Sequence, residues 1–164
     1  MSTIYNIVEV FELAQQIERN GSAFYRAAAK AHGDEKARAL LGSLALMEDQ
    51  HEILFARLAE TVSAKLGQSG YDPDAEALAY LQIAAGSHIF TTTLDPLTLV
   101  SQAKSIADVL RVALQVEKDT VALFSGLRDV MPESWGRADV SLIIDEEKRH
   151  VVMLSTALSQ LIEN

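Results

Sequence analysis

Two tetrapeptides constrain this chain more than any other feature: Glu48-Asp49-Gln50-His51 and Glu147-Lys148-Arg149-His150. Each follows a lone glutamate, Glu18 or Glu117, by 30 residues. A shift of 99 positions lays one set on the other without a gap, pairing Glu18 with Glu117, Glu48 with Glu147 and His51 with His150. The same shift brings Ile7 onto Ile106, Val10 onto Val109, Ala14 onto Ala113, Gln16 onto Gln115 and Arg38-Ala39 onto Arg137-Ala138. Chance alone predicts roughly 0.3 Glu-x-x-His matches in a chain of this composition. Two matches that share one offset, and share it with their flanking residues, read as an internal repeat.

Each half of the repeat reads as two long helices. The first runs from about Asn6 to Ala31, with Asn6 and Glu9 spaced as a capping box and Gly33 past its end. The second runs from near Asp34 to about Leu66, before the turn-rich GQSGYDPD. The third opens at Ser105, boxed by Asp108, and stops before Pro132. The fourth starts near Ser134 or Arg137 and continues almost to the C-terminus. Between the halves lies a connector, 67–104, in which DAEALAYLQIAA has the pattern of a short helix. A helix of 30 residues is about 45 Å long, a distance such a connector can span. The expected fold is therefore all-α, a single domain of two pseudo-symmetric hairpins, about 6–66 and 105–162, joined by a long crossover.

Helical periodicity then places the repeated residues. The inward stripes read Ile7, Phe11, Ala14, Glu18, Gly21, Tyr25, then Leu41, Leu44, Glu48, His51, Phe55, Leu58. The second half gives Ile106, Leu110, Ala113, Glu117, Thr120, Phe124, then Val140, Ile143, Glu147, His150, Leu154, Ala157. Four carboxylates and two imidazoles thus meet in the middle of one apolar core, with no lysine or arginine on the stripes. A carboxylate taken out of water unpaired costs several kcal/mol, and four together repel. Two divalent cations would offset the four charges, and this oxygen and imidazole donor set suits iron, manganese or zinc.

Bulk properties narrow the alternatives. The 164 residues are 49% apolar and only 6% aromatic, with a formal net charge of -9, a poor match for nucleic acid or anionic membranes. The absence of cysteine excludes disulfides, thiolate metal sites and thiol catalysis. The opening MSTIYNIVEVFELAQQ lacks the basic and apolar regions of a signal peptide, and no run of about 18 apolar residues offers a membrane span. A cytoplasmic location is expected.

The segments QQIERNGSAFYRAA, MEDQHEIL, LQVEKDTVALF and EEKRHVVML resemble the ferritin-like superfamily, most closely its rubrerythrin-like branch. The resemblance covers 6–66 and 105–162 and implies a ferritin-like four-helix bundle, in which two helices each supply a Glu and two each supply Glu-x-x-His. It further implies two metal ions, most simply iron. Glu18 and His51 would be terminal ligands of one, Glu117 and His150 of the other, and Glu48 and Glu147 would bridge. Tyr25 would place its hydroxyl near the metals, or else serve as a core aromatic. The implied activity is reduction of hydrogen peroxide or dioxygen by an external electron donor, in oxidative-stress defence or iron handling. A homodimer, with hairpins kept or exchanged between chains, fits the same resemblance. The chain departs from rubrerythrins in lacking the cysteine-held iron domain, and in carrying Thr120 where they carry a further Glu.

Two other functions fit the same ligands: an iron-storage protein whose oxidation step only loads metal, and a bundle held together by a structural metal. Some residues invite a role that their surroundings do not support. His32 precedes Gly33 at a helix end and reads as a cap, and Trp135 reads as packing under the second hairpin turn. His88 has no partner at ligand spacing and stays unassigned. Glu52 and Glu146 lie about 100° away from their neighbouring stripes on an ideal helix and are expected to point elsewhere. Gly21 and Thr120 are small, which suits close helix packing slightly better than an opening for an oxidant.

Overall fold

The computed structural model describes residues 6–67, 70–90 and 95–162. Six α-helices follow one another: α1 (Ile7–Ala31), α2 (Glu35–Leu66), α3 (Ala75–Ser87), α4 (Pro96–Gln102), α5 (Ile106–Val130) and α6 (Arg137–Ile162). The caps explain most of these boundaries. Asn6 Oδ1 accepts from the backbone N–H groups of Val8 and Glu9 at 3.0 Å, and Glu9 Oε2 accepts from Asn6 N at 2.8 Å, which completes the expected box. Asp34 caps α2 through Ala37 N at 2.9 Å. At α5 the box is only half formed: Ser105 Oγ accepts from Asp108 N, but the Asp108 carboxylate accepts from Lys104 N rather than from Ser105 N. The helix α4 was not anticipated, although Asp95 as N-cap followed by Pro96 in the first turn is a readable start signal.

Helices α1 and α2 form one hairpin and α5 and α6 the other, and the two hairpins pack together into a four-helix bundle. The turn after α1 and the start of α5 share one end, where a Cβ on Gly33 would lie 3.7 Å from Ile106 Cδ1. Lys36 Nζ donates to Gln160 Oε1 at that end, at 2.9 Å. At the other end Tyr71 OH donates to Val130 O at 3.1 Å, and Lys65 Nζ reaches the Ser134 carbonyl. The connector runs between the ends and packs α3 on α5 and α4 on α1. Gly126 leaves room for the Tyr80 ring at the α3–α5 crossing, since a Cβ there would approach Tyr80 Cδ1 to 2.9 Å.

The stripes read from the sequence are the bundle interior. Every residue in them is buried except Ile106 and Ala157, which are half-buried near one end. Phe11, Phe55 and Phe124 stack into an aromatic layer on one side of the polar cluster, with ring centroids 6.2 Å and 4.6 Å apart. Trp135 is buried in the α5–α6 turn, 4.9 Å from the Tyr71 ring, as a packing residue. His32 ends α1 through its backbone N–H, which donates to Ala28 O at 2.9 Å. Among the described residues no helix is long and apolar enough to cross a membrane.

Gly136, with φ at 94°, lets the chain turn sharply into α6 while Leu58 of α2 packs over it. A side chain there meets both obstacles. Left-handed backbone costs an L-residue about 1–2 kcal/mol, and a Cβ would overlap the Leu58 methyl. Gly136→Ala is therefore expected to lower the thermal unfolding midpoint by several degrees, whereas Gly42→Ala, with open space at its Cβ, leaves it level or higher. Differential scanning calorimetry of the two variants checks the contrast.

Candidate metal centre

Halfway along the bundle each of four helices turns its polar insert inward. Glu18 comes from α1, Glu48 and His51 from α2, Glu117 from α5, and Glu147 and His150 from α6, all at most 3% exposed. The repeat residues form two overlapping groups. Glu18, Glu48, His51 and Glu147 bring one oxygen or nitrogen each within 4.8 Å of one another, and so do Glu48, Glu117, Glu147 and His150. Glu48 and Glu147 are common to both.

The atoms they present differ in a consistent way. His51 Nδ1 lies 2.7 Å from Glu147 Oε1, 3.6 Å from Glu48 Oε2 and 3.7 Å from Glu18 Oε2. His150 Nδ1 lies 2.8 Å from Glu147 Oε2, 3.3 Å from Glu48 Oε1 and 3.6 Å from Glu117 Oε1. Each central carboxylate therefore turns one oxygen to each histidine, and the two rings lie nearly parallel, 5.9 Å apart. Short distances here are not hydrogen bonds. Glu18 Oε1, Glu48 Oε1, both Glu147 oxygens, His51 Nδ1 and both His150 nitrogens are buried without a hydrogen-bonding partner in suitable geometry. So many orphaned lone-pair atoms in one place is unusual for a folded protein, and they fit a pair of cations bound between them.

Electrostatics points the same way. Among the described residues the lysine and arginine ion pairs lie elsewhere, and none involves the four inner carboxylates. Burial raises the Glu18 and Glu117 carboxyls well above the usual range, and the charges of Glu48 and Glu147 raise them further. Burial also opposes the charged form of Glu48, but the close approach of Glu18 and of both histidines outweighs it and holds this carboxyl low. For His150 burial disfavours the cation, yet Glu117, Glu147 and Glu48 push it up to about 12; His51 is raised by the corresponding set. Protons thus stand in for the missing positive charge, and metal ions would displace them.

The surroundings extend what the sequence showed. Tyr25 is buried and its hydroxyl donates to Glu117 Oε1, while burial and the negative charge of Glu117 raise its own pKa. Glu52 forms a surface pair with Arg19, as its helix angle suggested. Glu146 corrects the same argument: its Oε2 lies 2.6 Å from His51 Nε2, on the side of the ring that faces away from the cluster. The 100° angle described α6 alone, and α2 brings its histidine to the seam that Glu146 lines.

His88 also has a place. It is 1% exposed; its Nδ1 accepts from Phe90 N at 3.2 Å, and its Nε2 lies 2.9 Å from Thr120 Oγ1, which donates to Val116 O. With Nδ1 accepting, the ring proton is on Nε2 and the imidazole is neutral, and burial pushes its pKa down to about 4. The crossover thereby fastens to α5 one turn from Glu117. Sequence spacing held no hint of it, because the contact joins residues 32 positions apart in different elements. A cavity of about 10 Å³ remains between Gly21, Phe90, Thr120 and the carboxylates of Glu18, Glu48 and Glu117. That is room for roughly one water. A Cβ on Gly21 would meet Glu48 Cγ at 3.4 Å, ordinary contact, so packing does not demand a glycine there.

No family model matches the chain, and no curated protein matches it. Among solved structures, a crystal structure from Thermotoga maritima, described provisionally as a ferritin-like diiron-carboxylate protein, is similar in fold. The match has a TM-score of 0.72 at 20% sequence identity and covers 97% of this chain and 98% of that one. At that identity it bears on the fold, which is the ferritin-like helical bundle that the duplicated Glu and Glu-x-x-His pattern implied.

Proposed function

We propose that this chain is a dimetal carboxylate protein, with Glu18 and His51 as terminal ligands of one ion, Glu117 and His150 of the other, and Glu48 and Glu147 shared. The observation that carries the reading is the pair of buried Glu and His groups that converge from four helices, most of their inner oxygens and nitrogens unpartnered and, among the described residues, no lysine or arginine paired with them. The description of the Thermotoga maritima protein as a diiron-carboxylate protein supports iron as the metal. Manganese or zinc would suit the same donors.

The activity that this arrangement supports best is a rubrerythrin-like oxidoreductase acting on hydrogen peroxide or dioxygen. Two bound irons would supply the redox equivalents and Lewis acidity. The chain's own residues supply the rest. Apolar layers around the cluster exclude bulk water, and Glu48 and Glu147 hold the two positions together. Tyr25 keeps a proton at its hydroxyl beside Glu117 Oε1. Gly21 and Thr120 border the cavity next to Glu48 and Glu117, which has room for about one water-sized molecule and none for an organic substrate. The chain has no cysteine for an iron–sulfur relay, so electrons would come from an external donor. A storage protein is the second reading. It would take up many irons per assembly, whereas the oxidoreductase holds two per chain and turns over.

Elemental analysis after anaerobic loading with Fe(II) and desalting is expected to return about two irons per chain, which oxidise on addition of peroxide and can be reduced again. Protein that stays folded and retains no metal would remove the reading. Loading is also expected to raise the unfolding temperature, and chelation to lower it again. Glu147→Ala removes a shared ligand, so it should lower the iron retained per chain and abolish the rise in unfolding temperature on loading.

A further inference from the structure

Among the positions where the shift of 99 pairs unlike residues beside the cluster, one changes what stands behind a histidine. Glu146 on α6 corresponds to Met47 on α2. The consequence is visible in the two histidines. His51 turns Nδ1 to Glu18, Glu48 and Glu147 and meets Glu146 Oε2 with Nε2. His150 turns Nδ1 to Glu48, Glu117 and Glu147, but its Nε2 is buried and has no partner. A methionine carries no charge, and its thioether is a weak acceptor.

An imidazole that binds a cation through Nδ1 keeps its proton on Nε2. In His51 that N–H donates to a carboxylate, which fixes the tautomer, orients the ring and raises the basicity of Nδ1. In His150 the N–H meets no acceptor among the described residues. A second break in the repeat acts in the same direction. Tyr25 donates to Glu117 Oε1 and so takes up part of that oxygen's capacity, whereas Glu18 faces no equivalent, because the counterpart of Tyr25 is Phe124.

We infer that the two metal positions are inequivalent: the group of Glu18, Glu48, His51 and Glu147 fills first and holds its ion more tightly, with Glu146 as the positioning residue behind His51. The inference rests on the dimetal reading above. Loss of a carboxylate behind a ligating histidine typically weakens metal affinity by about 10–100-fold, which sets the expected separation between the two positions.

The test uses the full metal-free chain, titrated with Zn(II) and followed by imidazole ¹⁵N NMR together with calorimetry. At one equivalent the His51 Nδ1 resonance should move to its bound position while that of His150 stays free, and the isotherm should show two phases. Glu146→Ala should weaken the first phase by about 10–100-fold and bring the phases together. Glu146→Gln, which keeps an acceptor oxygen, should restore part of the separation. Met47→Glu should tighten the second phase. Equal filling of both histidines at one equivalent in the native chain, a first phase unmoved by Glu146→Ala, or a second phase unmoved by Met47→Glu would each overturn the inference while leaving the dimetal reading intact. A chain that binds no zinc or other divalent metal would overturn both.

Discussion

Everything in this bundle is arranged around one electrostatic demand: four carboxylates and two imidazoles share a buried layer in which, among the described residues, no lysine or arginine pairs with them. Each buried carboxylate costs several kcal/mol even after relaxation. The apolar layers on either side must carry that cost, at about 1.5–3 kcal/mol for each fully buried leucine or phenylalanine. Phe11, Phe55 and Phe124 on one side, and Leu41, Leu44 and Ile143 among the other core residues, are of this kind.

Duplication supplies the symmetry of the centre, and single substitutions remove it. Glu18, Glu48 and His51 recur as Glu117, Glu147 and His150, and the two central carboxylates each serve both histidines. Around this frame the halves have diverged. A tyrosine sits behind Glu117 and a carboxylate behind His51, with phenylalanine and methionine at the corresponding positions. The crossover adds a third difference, since it packs on α1 and α5 and brings His88 and Phe90 to the Thr120 side of the cluster. On the histidine side Glu146 is partly exposed, its side chain 41% accessible. The centre therefore has two unlike faces: one with a small cavity bordered by Phe90 of the connector, the other bordered by a carboxylate that reaches solvent.

Much of this was legible in the residues because it depends on distances along one helix. Positions three and four apart share a face whatever the helix packs against. The stripes, the duplicated Glu and Glu-x-x-His residues, the capping box at Asn6 and the length of the crossover could therefore be read directly. Helix α4 obeys the same rules, since Asp95 caps it and Pro96 opens its first turn.

Contacts between helices follow another logic. Whether Glu146 reaches His51, whether His88 meets Thr120, and whether Gly21 leaves space or fills it depend on how far apart two helix axes lie and how each is rotated. Those quantities are set by the packing of many side chains at once and leave no period in the sequence. The amino-acid order by itself determined an all-α duplicated bundle and the six side chains at its centre. Only the tertiary structure decided which nitrogen of each histidine faces inward, which carboxylate stands behind it, and on which side the cluster remains open, because each of these is a relation between helices rather than a property of one.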